Sequence, residues 1–252
     1  MASHGEDEED VLRLPAATLA LLEQFYDDRE AQEARFEDLK TKSELKFDKD
    51  NPLSMELFTE DWNASQFWYD DPTATALARE LLEDATDETC IAVVSAPSVF
   101  IQLKNLQATE YANTHPTISL LEYDDRFAVF KEFVQYDFKY PFVLPAEMKG
   151  KYHRIICDPP FLSDDCQTRT AITARWLSST SPEPGRGLPA SEAWKPELII
   201  CTGERMEQLI LKLYSASGVR TTSFEPKHAK ELGNEFRCYA NSESKASLWS
   251  WR

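Results

Sequence analysis

The sequence predicts an α/β fold, a parallel or mostly parallel sheet with helices on both faces, and two observations carry that prediction. From residue 90 onward, short β-like runs alternate with helical ones, the pattern in which each strand is returned to one sheet by a crossover helix. Acidic residues recur at the ends of the runs, at Glu122, Asp137 and Asp158, and the carboxyl edge of such a sheet is where ligands bind. The 252 residues, 42% of them hydrophobic, suit one such domain with an appendage.

Residues 1–10 read as a solvated acidic tail, because Glu6, Asp7, Glu8, Glu9 and Asp10 follow a start with neither a basic nor an apolar stretch, unlike a signal peptide. Residues 11–60 read as a helical extension. Leu19, Leu22 and Tyr26 recur there at helical spacing, Pro15 suits a first turn, and Asp48-Lys49-Asp50-Asn51-Pro52 breaks the pattern. Residues 61–252 read as the main domain, which opens on an aromatic cluster from Trp62 to Tyr69. Asp71 is then placed to cap a helix that Pro72 begins and that Leu77, Leu81 and Leu82 continue.

The strand-like runs that follow are Cys90 to Val94, Ile118 to Leu121, Phe133 to Tyr136, Ile155 to Cys157 and Glu197 to Cys201. Helical residues lie between them: Val99, Leu103 and Leu106, then about Ser163 through Trp176, and after the fifth run Met206, Leu209, Ile210 and Leu213. Residues 178–195, with Ser, Pro and Gly concentrated from Ser178 to Gly187, read as a flexible insertion. Late β candidates around Arg220 to Phe224 and Glu235 to Tyr239 predict an antiparallel hairpin at the sheet edge.

The segment that carries chemistry is Asp158-Pro159-Pro160-Phe161, directly after Ile155-Ile156-Cys157. Two prolines fix φ near about −65° and remove two N–H donors, so the loop ends its strand rigidly. That rigidity holds the Asp158 carboxylate and the Pro159 carbonyl as acceptors for an N–H group, with the Phe161 ring as a wall for a flat or cationic substrate group. A stiff structural turn is the competing reading. Glu122, at the end of the second run, is placed to accept both ribose hydroxyls of an adenosine-containing cofactor, with Tyr123 beside it. Asp137, at the end of the third, is placed to accept from an adenine amino group or to close the pocket. The first strand-to-helix turn, Ser95-Ala96-Pro97-Ser98, lacks the glycines that cradle phosphates, which excludes a P-loop but not a cofactor without phosphates. Phe67, Trp68 and Tyr69 are candidates for lining the cofactor or substrate channel, or for packing in the core.

Five separated blocks carry a family resemblance: Ser65 to Tyr69, Val94 to Val99, Leu121 to Phe127, Asp158 to Ser163 and Asn234 to Tyr239. Together they resemble the eukaryotic elongation factor 1A lysine methyltransferases, once described as N6-adenine methyltransferases, over roughly residues 60 to 240. The resemblance implies a seven-stranded Rossmann-like class I methyltransferase sheet, S-adenosylmethionine as methyl donor, and a lysine of translation elongation factor 1A as acceptor. It implies catalytic roles for Asp158, Pro159 and Phe161, and cofactor contacts from Ser95, Ala96, Pro97, Glu122, Tyr123, Asp137 and Asp158. A channel for the lysine would be lined by Phe67, Trp68, Tyr69 and Phe161.

Charge bears on the rivals. A net charge of −17 opposes a nucleic-acid acceptor, whose phosphates need Lys and Arg, although the same loop would hold an adenine amino group. A cofactor-binding scaffold without activity predicts loss of Asp158 or Glu122, and both are present. Five cysteines without a C-x-x-C pair and four scattered histidines predict reduced thiols, no metal site and a cytoplasmic setting. No apolar run approaches the roughly 18 residues of a membrane helix.

Overall fold

The computed structural model describes residues 52–55, 58, 66–181, 195–230 and 235–252. The predicted acidic tail and the helix over 11–47 lie outside the described residues, as do 182–194 of the predicted insertion. Seven strands form one sheet: β1 (Cys90–Val94), β2 (Thr117–Glu122), β3 (Phe133–Gln135), β4 (Arg154–Cys157), β5 (Glu197–Gly203), β6 (Arg220–Thr221) and β7 (Phe236–Ala240). Their order is β3-β2-β1-β4-β5-β7-β6. The first five strands are parallel, and β7 runs antiparallel to both β5 and β6. This is the expected α/β sheet, with the late strands antiparallel as predicted. Within this edge hairpin β7 lies beside β5 and β6 is outermost: the five-residue β7 pairs along its whole length with β5, while β6 supplies only two residues.

Among the described residues the α-helices are α1 (Asp71–Leu82), α2 (Pro97–Ala108), α3 (Asp164–Leu177) and α4 (Glu207–Leu213). The cap of α1 is Asp70 rather than Asp71: its carboxylate accepts from Thr73 N at 2.9 Å, and Asp71 is already the first helical residue. Side-chain alternation along the strands divides the core in two. Ile91 and Val93 of β1, Ile156 of β4, and Ile199 and Cys201 of β5 pack on one face with α1 and α2. Ala92, Val94, Ile155, Cys157, Leu198 and Ile200 pack on the other with α3 and α4. Both faces are covered, which is why these strands read as continuous apolar runs, each buried large side chain stabilising the fold by about 1.5–3 kcal/mol.

Arg154, at the amino end of β4, is fully buried. It donates to the carbonyls of Leu81 and Glu83 and to the Asp84 carboxylate, at 3.0, 2.6 and 2.8 Å. The buried charge thereby satisfies the carbonyl end of α1 and fixes that helix to the sheet. The start of the predicted insertion is anchored rather than loose: Ser178 bridges to Tyr152, and Ser179 is buried. All five cysteines are free thiols. Among the described residues no helix is long and apolar enough to cross a membrane.

Candidate active site

Register assembles the site. Val94 of β1 pairs with Leu121 of β2 and with Cys157 of β4, so the next residues, Ser95, Glu122 and Asp158, stand abreast. Ser95 N donates to the Leu121 carbonyl at 2.9 Å and Asp158 N to the Val94 carbonyl at 3.0 Å, which extends the ladder to these three positions. With strands about 4.8 Å apart, Glu122 and Asp158 flank Ser95 across a mouth of about 10 Å. The chain order reverses between β1 and β4, so this mouth is the topological switch point of the sheet.

Ser95 explains how the first turn works without glycine. Its φ of 54° lies in the left-handed region, so a serine adopts the conformation that glycine usually supplies, at a cost of about 1 kcal/mol. Ala96 and Pro97 follow it under cover of the core, and Pro97 opens α2. The Ser98 hydroxyl accepts from Tyr69 N at 3.2 Å, which attaches the aromatic block to this turn.

Glu122 is buried, 6% exposed. One carboxylate oxygen, Oε1, accepts from Tyr123 N at 2.8 Å and Asp124 N at 3.2 Å. Burial pushes its carboxyl up to about 7 despite those bonds, which pull the other way. The neighbouring Asp124 is held by Arg126 at 2.5 to 3.0 Å and by Gln66 Nε2 at 3.0 Å. Gln66 therefore ties the segment before α1 to the end of β2, and nothing in the local sequence pattern marks it for that task.

Asp158 is partly covered. Burial of its carboxyl pushes it up to about 8, the Glu122 charge adds to the rise, and the Tyr69 hydroxyl opposes it. Tyr69 is 3% exposed, and its hydroxyl lies beside Asp158 and Cys201 without a hydrogen bond of normal geometry. Burial holds that phenol well above its ordinary value. Pro159 is buried, and Phe161 is 37% exposed with its ring 5.7 Å from that of Phe138. The loop is fixed behind Phe161 by Gln167 Nε2, which donates to the Phe161 carbonyl and the Thr202 hydroxyl at 3.0 Å each. Arg205 donates to the Leu162 carbonyl at 2.9 Å.

The remaining predicted residues sit differently. Trp68 belongs to the core, its indole N–H donating to the Phe58 carbonyl at 2.8 Å and its ring edge-on to Phe127 at 6.2 Å. Phe67 is half-buried. Asp137 spends Oδ1 on its own turn, accepting from Lys139 N at 2.9 Å. Tyr123 points into solvent, 62% exposed.

Gly203, at the carboxyl end of β5, lets Leu162 close against the sheet, since a Cβ there would lie 2.8 Å from Leu162 Cδ1. Gly203→Ala is expected to push Leu162 and the loop after β4 aside, lowering activity about three- to tenfold with a stability loss of about 1 kcal/mol. Steady-state rates and thermal melts check this.

The site thus offers a carboxylate for a diol, a second for an N–H group and a glycine-free turn between them. A family model described as "Probable N6-adenine methyltransferase" matches residues 60–244. The chain belongs to this family. It is a methyltransferase with S-adenosylmethionine as donor, and a buried carboxylate beside a glycine-free turn fits a cofactor that carries a diol and no phosphate. The chain is 41% identical to "Protein-lysine N-methyltransferase EFM5" of Saccharomyces cerevisiae, over 94% of each chain. It is 35% identical to "EEF1A lysine methyltransferase 1" of Gallus gallus, over 95% of this chain and 98% of the relative. The Homo sapiens protein of the same name is 32% identical over 94% of this chain and 95% of its own.

Proposed function

We propose that this chain transfers a methyl group from S-adenosylmethionine to a lysine of translation elongation factor 1A. The observation that carries this reading is that relatives alignable over more than nine-tenths of the chain bear lysine methyltransferase names, on a protein whose net charge of −17 disfavours the phosphates of a nucleic-acid acceptor. The five free thiols fit a reducing, cytoplasmic setting.

The bound donor supplies an electrophilic methyl on a sulfonium. Glu122 Oε2 would accept the ribose hydroxyls, while its Oε1 keeps the turn in place through Tyr123 N and Asp124 N. The Ser95-Ala96-Pro97 backbone closes beneath. The amine must arrive unprotonated and in line, so the protein's work is desolvation and orientation. Asp158 and the Pro159 carbonyl accept the amine N–H groups, and Phe161 packs along the lysine stem. Tyr69 walls the pocket behind Asp158 and excludes water from it.

The test is transfer of labelled methyl from S-adenosylmethionine to purified elongation factor 1A, with DNA and RNA oligonucleotides in parallel. Labelling of the protein and its loss when the acceptor lysine is changed to arginine is the expected result. Strong labelling of an oligonucleotide and none of the protein would assign the loop to adenine instead.

A further inference from the structure

The large hydrophobic side chains left exposed among the described residues are Tyr123, Tyr140, Phe142, Val143 and Phe161. All five stand on loops that follow β2, β3 and β4, on the same edge of the sheet as the catalytic mouth. Three of them share the segment after β3, where Tyr140 and Phe142 are each 62% and Val143 74% exposed.

This exposure is built in. Lys139 N donates to Asp137 Oδ1 at 2.9 Å and Val143 N to the Tyr140 carbonyl at 3.0 Å, closing successive turns. From behind, α3 holds the loop: Arg169 donates to the Lys139 carbonyl at 2.8 Å and the Thr173 hydroxyl to the Pro141 carbonyl at 3.4 Å. Phe138 and Leu144, at either end, turn inward onto the core. The backbone is therefore fixed while the apolar side chains between face outward, where they lose the stabilisation that burial would give.

We propose that Tyr140, Phe142 and Val143, continued by Phe161, are the surface on which the folded acceptor protein docks. This rests on the lysine reading above and extends it from the amine to the protein that bears it. A lysine stem is four carbons long, so an amine delivered to Asp158 brings its own backbone to within a few ångströms of the mouth. The surface around that backbone must then overlie the rim. The Phe161 ring lies 5.7 Å from that of Phe138, two residues before Tyr140, so the loop that carries the patch adjoins the wall of the channel that the lysine enters. An apolar, aromatic centre against the reaction site is what a specific protein contact requires.

The experiment compares wild type with the triple variant Tyr140→Ser, Phe142→Ser, Val143→Ser and with the single variant Val143→Arg, whose side chain is too exposed to disturb folding. KM for elongation factor 1A is expected to rise about tenfold or more in the triple variant and about three- to tenfold in the single one, with kcat and S-adenosylmethionine affinity each within about twofold of wild type. Unchanged KM in both variants overturns the proposal, and so does a loss confined to kcat or cofactor affinity, which would assign the loop to the reaction. Sedimentation adds a further outcome: a wild-type dimer that the triple variant dissolves, with KM unchanged, makes the occupant a second copy of this chain and overturns the proposal. Failure of the lysine reading shows earlier and separately, as wild-type enzyme that labels no elongation factor at all, and it removes this occupant too.

Discussion

Asp158→Asn is expected to reduce methyl transfer by a factor of about a thousand or more while raising the melting temperature of the unliganded protein. The activity loss follows from what the ionised carboxylate does: an amide of the same shape offers one acceptor and one donor where the charged form offers the amine two acceptors, and losing one hydrogen-bonding group at a preorganised site costs about 10²–10³ in rate. The gain in stability follows from burial. The Asp158 carboxyl is pushed up to about 8 from its ordinary 3.8, so between about pH 4 and pH 8 the folded protein retains a proton that the unfolded chain has given up. Stability therefore falls as pH rises through that window, and above it the whole cost of the buried charge is present. Asparagine carries no such proton and loses that slope. Because part of Asp158 remains open to solvent, the difference should reach about 1–3 kcal/mol, or roughly 3–10 °C. Thermal melts of both proteins at pH 6, 7, 8 and 9 check this. The gap should widen with pH, and an Asp158→Asn variant that melts below wild type at pH 8.5 and above would contradict the account of a strained catalytic carboxylate.

The extent to which this site could be read from sequence depends on the range of the interactions that build it. The parallel strands were legible because each is a short apolar run bounded by turn residues, and β1, β4 and β5 are buried on both faces. The rigid end of β4 was legible because its prolines are local. Ser95 was half legible: a turn without glycine was visible, but its left-handed φ of 54° was not, and it accompanies a ladder bond from Ser95 N to Leu121 O, a contact between distant residues. Trp68 and Tyr69 look alike in the sequence and part company only in three dimensions. Trp68 turns to Phe58 and Phe127 in the core, whereas Tyr69 turns its hydroxyl toward Asp158. Gln66 was visible only as a member of the Ser65 to Tyr69 block, and its task was not, since an uncharged side chain before α1 becomes meaningful only when Asp124 is brought within 3.0 Å of it. The misplaced helix cap, Asp70 for Asp71, is a choice between adjacent identical residues that only the Thr73 N–H can make.

Glu122 should govern the cofactor as Asp158 governs the reaction. Glu122→Ala is expected to weaken S-adenosylmethionine binding about 100-fold or more, since it removes two charge-assisted hydrogen bonds worth about 1.5–3 kcal/mol each and the acceptor that holds Tyr123 N and Asp124 N. Glu122→Gln keeps an oxygen for those two amides and loses only the charged acceptor, so a loss of about tenfold is expected. Titration of the unliganded protein with S-adenosylmethionine by calorimetry separates the two. The same experiment carries a pH signature. Burial raises the Glu122 carboxyl to about 7, so below that pH the site holds a proton and has one acceptor fewer for the ribose diol. Binding by the wild type should strengthen as pH rises from 6 to 8, with protons released on binding below about 7, while the Gln variant loses the part of that rise centred near 7 and keeps only what Asp158 contributes nearer 8. An identical pH profile in wild type and Glu122→Gln would mean that another group carries the dependence, and that the diol is held elsewhere than at the end of β2.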